Sequence, residues 1–253
     1  TSVALLMGWL GVAAYLGWLV TGSSAVLDFA RHAGIWLFLL PIVLTVSHRM
    51  IPFFSSRVLD NYEMVRPFWM LWLMLGFFVA HGTLQWLELP AYLWIVDFPL
   101  AGCALYLSYR WGFMRSFKVS LLAVLHISFA WLGVAMLLYA VQSLIYMVSG
   151  SLLFGLAPLH AIGIGFFSGM ILAMASRVTI GHSGRPLELD HFTWLLFLGF
   201  QATAVIRILA DIVPAIAPML YVAAAVVWLA CFALWAVKFA PIYWRARVDG
   251  KAG

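Results

Sequence analysis

The chain has 253 residues, of which 66 % are hydrophobic and 9 % charged, with a formal net charge of +5. A soluble domain is about one quarter charged, so this balance, with a mean hydropathy of +1.05, excludes a soluble globular protein and places the chain among polytopic membrane proteins. In such a chain an excess of Lys and Arg reports topology and gives no argument for nucleic acid. Eight apolar runs are long enough to span a bilayer: 2–21, 32–51, 67–87, 91–109, 118–142, 156–177, 191–212 and 215–240. The predicted fold class is all-α, a polytopic transmembrane helix bundle of about eight spanning helices, with 1–253 as a single transmembrane domain. Trp residues at many run ends fit the aromatic belts of the two membrane interfaces.

The connections between runs alternate in charge. The second carries Arg49, Arg57 and Arg66, and the fourth Arg110, Arg115 and Lys118. The sixth carries Arg177 and Arg185, and the tail Arg245, Arg247 and Lys251. Only Arg31 and the intramembrane Arg207 depart from this side, and the positive-inside rule places it, with both termini, in the cytoplasm. The chain starts without Met, directly in an apolar run. The expectation is a portion of a longer membrane protein, with N-terminal helices of the same protein as missing partners.

Run six is the stretch around which the others are arranged. It opens at Pro158 and His160, carries small residues at four-residue spacing (Ala161, Gly165, Gly169, Ala173), and leaves at Ser176-Arg177. That spacing makes one helical face on which a neighbouring helix or a flat cofactor can approach the backbone. The turn Gly181-His182-Ser183-Gly184-Arg185-Pro186 follows; its glycines permit tight geometry and leave amides free for an anion. It lacks a phosphate-loop ending, so nucleotide binding is not indicated.

Topology gives each polar residue a depth. His81, Asp97, His160 and Arg207 lie roughly 6–9 Å below the outer surface and come from four different helices. One reading is a haem or metal site, with imidazoles as ligands, a carboxylate orienting a ligand through its second nitrogen, and an Arg pairing with propionates. The other is structural: Asp97 paired with Arg207, Arg207 with Asp211, and histidines bonded across helices. His126 lies ~12 Å from the inner face, so it and His160 differ in depth by roughly 10 Å and do not readily share one iron. His48 and His191 are expected at helix ends beside water, and His32 as a solvated cap or an entry-side copper ligand. Cys103 and Cys231 stand alone in apolar runs without C-x-x-C-H, which excludes covalent c-type haem and indicates neither disulfides nor a zinc cluster. No hydrolytic triad order or His-Glu-x-x-His pattern occurs.

The stretches HRMIPFFSS (48–56) and LHAIGIGFFSGMILAMASRVTIGHSGRPL (159–187) resemble the NnrS family, as do LHISFAWLGVAMLL (125–138) and AVIRILADI (204–212). The resemblance implies a bacterial inner-membrane protein of a dozen or so helices. It implies non-covalent, b-type haem with copper, and a role in nitric-oxide and nitrosative stress linked to denitrification. Nitric oxide or a metal–nitrosyl species would be the small-molecule partner. It carries family positions onto Arg49, His126, His160, Arg177, His182, Arg185 and Arg207, while His81, Asp97 and His32 rest on depth alone. On this reading His160, His126 and His81 are the metal candidates, and Arg49, Arg177, His182, Arg185 and Arg207 the cofactor-binding ones. A non-redox transporter or channel, with the outer polar layer lining a path, is the rival from another class. A structural subunit of a respiratory assembly is the third.

Overall fold

The computed structural model describes residues 1–250; Lys251, counted above with the basic tail, lies outside the described residues. Those residues form eight helical rods and no strand. They are α1 (Ser2–Thr21), α2 (Ser24–Val58), α3 (Phe68–Trp86), α4 (Trp94–Arg110), α5 (Ser120–Ser149), α6 (Ala157–His182), α7 (His191–Ile212) and α8 (Ala217–Phe239). Seven are long and apolar enough to cross a membrane. The remaining one, α4, has 17 residues, which is about 26 Å and the short end of the spanning range.

The apolar runs become helices because a bilayer leaves the backbone no other partner than itself. Their ends follow local chemistry. Gly22 and Gly150 stop α1 and α5 with left-handed backbone, φ 67° and 69°, a conformation that costs glycine little. Asp190 starts α7 by accepting a hydrogen bond from the Thr193 amide at 2.8 Å. Two rods contain π-helical turns, Ala33–Leu39 in α2 and Ala161–Ser168 in α6. The first ends just before Pro41, which has no N–H to offer a regular turn. In the second, the Ser168 hydroxyl donates to the Gly163 carbonyl five residues back at 2.9 Å and satisfies an acceptor of the wide turn.

Helix α5 forms the centre, packed against α2, α4 and α6. Helix α3 joins α2 to α4, and α7 lies between α6 and α8. Trp36, Phe78, Trp111, Phe129 and Phe166 are the largest wholly buried side chains of the shared core. Helices α1 and α8 lie at the rim and leave large apolar side chains such as Trp9, Val20, Val222 and Val237 uncovered, the surface a lipid solvent favours. The basic connections touch each other: Trp111 donates to the Val65 carbonyl at 2.9 Å, and Arg115 donates to the Asp60 carbonyl. On the opposite side the Ser143 hydroxyl accepts from the Trp94 amide and donates to the Pro90 carbonyl. Loop pairing therefore follows the alternation of the charge pattern.

The rods fall into two units of four, α1–α4 and α5–α8, with the same punctuation. Gly22 and Gly150, His32 and His160, Arg49 and Arg177, Arg57 and Arg185, and Cys103 and Cys231 are each 128 residues apart. Each π-helical turn begins directly after the histidine of its unit. Sequence and backbone thus repeat together.

A candidate outer-leaflet histidine site

The expected layer of His81, Asp97, His160 and Arg207 resolves into two hydrogen-bonded groups, each built on a histidine and an aspartate. In the first, His81 of α3 meets Asp97 of α4, with Nδ1 and Oδ1 2.6 Å apart and both side chains fully buried. A ring nitrogen that donates to a carboxylate carries the hydrogen, so in a neutral imidazole the lone pair sits on Nε2. That Nε2 is buried without a protein partner, as is Asp97 Oδ2. The ring is fixed in orientation: Trp36 stacks on its face with centroids 3.5 Å apart, and Tyr139 meets it edge-on at 4.8 Å. Trp36 is itself held by an Nε1–H bond to Gln85 Oε1 at 3.0 Å.

The second group is closed. His160 Nδ1 lies 2.7 Å from Asp211 Oδ2, and Arg207 Nη2 lies 2.9 Å from His160 Nε2. The guanidinium donates to Nε2, so Nδ1–H donates to the carboxylate and both ring nitrogens are engaged. Tyr221 completes the group: Arg207 sits over its ring at 4.3 Å and its hydroxyl reaches Asp211 Oδ1 at 3.4 Å. A metal at His160 would require Arg207 to move. Asp97 and Arg207, paired in the structural reading, belong to different groups. Asp211 is the partner that reading of the sequence assigned to Arg207 alone. Its spacing of four from Arg207 puts both on one helical face, where one histidine can meet both.

His126 is buried in α5, with Nε2 3.0 Å from the Ser55 hydroxyl of α2. Nearby in sequence, Phe54 of α2 carries the Arg177 guanidinium over its ring at 3.9 Å. Arg177 is buried, and among the described residues no carboxylate or hydrogen-bond acceptor meets it. Arg49 and His182 are exposed. Arg185 is half-buried, with Nη1 unpartnered, in a cleft shared with Lys238 and Arg245. His191 is exposed at the start of α7, as expected.

His48 departs from expectation. It was placed beside water, but it is 2 % exposed and its Nε2 has no partner. The reason is that α2 continues to Val58, so His48 lies inside the rod between the rings of Phe68 and Trp111, at 5.7 and 5.9 Å. His32 borders an outer cleft with Trp36 and Tyr139. No group of three or more His, Cys, Asp or Glu among the described residues is arranged to hold a metal by itself.

The family model described as NnrS protein matches residues 1–247, so the chain belongs to the NnrS family. No curated protein and no solved structure matches it.

Proposed function

We propose that this member of the NnrS family is a multi-pass inner-membrane protein that holds non-covalent haem, with copper, and acts in the bacterial response to nitric oxide that accompanies denitrification. The observation that carries the reading is the unpartnered, buried Nε2 of His81, on a ring oriented by Asp97 through Nδ1. A carboxylate behind a histidine fixes the tautomer and raises the basicity of the ligating nitrogen. His81 would therefore hold the iron through Nε2. His160, with Nε2 occupied by Arg207, and His126, with Nε2 on Ser55, are the reserve ligands. Arg177 lacks an anionic partner, but it lies 17 residues along α6 from His160, about 25 Å, so it would meet an anion at the inner side and not a propionate of a haem held by His81, while Arg207 is committed to His160. Arg49, His182 and Arg185 line the inner surface, where an anion or lipid phosphate would meet them. Bound iron would supply the site at which nitric oxide coordinates.

The rival transporter reading needs a continuous polar path. The outer polar groups instead close on one another in pairs, which favours a fixed site. The test compares His81→Gly, His160→Ala and His191→Ala in the full-length protein at matched expression, by absorption spectrum and metal content. His81→Gly should lose or shift the haem band and recover it on adding imidazole, while His191→Ala should leave it unchanged. An unaltered spectrum in the His81 variant would refute the assignment.

A further inference from the structure

At the outer end of the seam between the two four-helix units lies a cleft of about 660 Å³, lined from both sides. The first unit contributes His32, Trp36 and Gln85, and the second Tyr139, Gln142 and Tyr146. Ligand sites in proteins built from repeats tend to form where the repeats meet, and the volume is that of a small-molecule site. Within the cleft wall, the Gln142 side chain is 7 % exposed and its Oε1 has no partner. A buried amide without a partner costs free energy that a ligand's hydrogen bond would recover.

We infer that this cleft binds the headgroup of a quinol drawn from the lipid phase. Three observations narrow the ligand to that class. The walls Trp36, Tyr139 and Tyr146 are aromatic and favour a flat ring. The rim carries Leu152 and Leu156, each more than half exposed, beside Arg31 and Glu88, so the entrance has an apolar lip suited to a lipid-soluble ligand. The charges do not select an ion: Arg31 is 3.2 Å from Asp28, Glu88 stands on the same rim, and no three metal-ligating side chains gather among the described residues. A neutral ring with an oxygen at each end fits, one oxygen on Gln142 and the other on His32. The unpartnered atom of Gln142 is the acceptor Oε1, so the group that meets it is a quinol hydroxyl. The rings of Trp36 and Tyr139 stand between the cleft and His81, since both line the one and touch the other.

The experiment titrates decylubiquinol, whose hydroxyls can donate to Gln142 Oε1, into the purified chain in lipid nanodiscs under reducing conditions, with empty nanodiscs measuring partition into lipid. Saturable binding of one ring per chain is expected above that background. Gln142→Leu and His32→Leu should each weaken it about tenfold, the worth of one hydrogen bond, and His191→Ala should not. Gln142→Leu removes a buried unpartnered group, so misfolding is not its expected effect. A photoreactive azidoquinol should label the segment 139–159. Binding equal to empty nanodiscs, or an affinity equal to the parent's in either leucine variant, overturns the inference. The readout counts rings bound and does not need haem, so its failure leaves the haem reading standing.

Discussion

Substitution of Gly165 by Ala tests the close packing of α5 on α6. A Cβ at Gly165 would stand 2.5 Å from Cδ2 and Cγ of the Trp131 ring and 3.0 Å from its Cβ. The indole cannot simply step aside, because its Nε1–H is held by Gln201 Oε1 at 2.5 Å. Forcing a methyl into a packed core costs about 1–3 kcal/mol, and losing the Trp131–Gln201 bond adds about 0.6 kcal/mol for a typical interhelical bond in a membrane. The change also removes a helix glycine, which returns about 0.5–1 kcal/mol. The balance is a loss of about 1–3 kcal/mol. At Gly163 a Cβ meets nothing within 4 Å, so Gly163→Ala keeps only the favourable term and should be neutral or stabilising. Thermal denaturation in detergent, read by size-exclusion fluorescence, separates the two. Equal melting of the two variants would refute the argument, as would a Gly165→Ala protein that Trp131→Leu fails to rescue.

Reporter fusions after Arg57, Arg115, Arg185 and Arg247 should all report cytoplasm, and fusions near Ser149 the periplasm; a periplasmic signal at Arg115 with a cytoplasmic one at Arg57 would break the alternation. Burial pushes the Asp190 carboxyl up, but hydrogen bonds from Lys238 and Thr193 outweigh it and hold it down at about 2 from 3.8. A depressed folded value means that its contribution is fully present above 3.8 and is lost as pH falls through about 2. Asp190→Asn should therefore lower the melting temperature at neutral pH and converge with the parent toward pH 2, by a small amount because solvent screens the pair. Gly184→Ala should release the tail: φ is +74° and the new Cβ would stand 2.7 Å from Asp249 Cγ, where Val248 docks on the Ser183 carbonyl at 3.0 Å. The backbone cost alone is about 1–2 kcal/mol, and faster proteolysis after residue 244 is the measurement.

Helix existence was legible because burial in lipid writes itself as long apolar runs, and the common depth of His81 and Asp97 follows from counting residues inward from run ends. What counting cannot supply is rotation about each helix axis. Rotation decides that Asp97 faces His81 and leaves Arg207 to His160. Run ends were less legible: run two was read as 32–51 where α2 spans Ser24–Val58, and the error mattered at His48, where that continuation turned a helix end into an interior. The small-residue face of run six was read correctly, for Ala161, Gly165, Gly169 and Ala173 are all buried. The repeat was missed although its signal was present. Two cysteines, and two histidines each followed by Ala, stand at one common spacing of 128 residues.

The repeat also explains why one position carries two chemistries. His32 and His160 open the same π-helical turn in their units, so backbone geometry gives them equal footing. Their third helices differ. Helix α7 brings Arg207 and Asp211, which take both nitrogens of His160 and convert it into a structural clamp between α6 and α7. Helix α3 brings no such pair to His32; its own histidine, His81, turns instead to Asp97 of α4 and keeps Nε2 free. At the outer layer the second unit thus engages both ring nitrogens of its histidine, while the first leaves His81 Nε2 unpaired. An unpaired buried nitrogen costs more than a paired one, and in this layer that cost falls on His81 Nε2, the atom whose pairing a ligand would reward most.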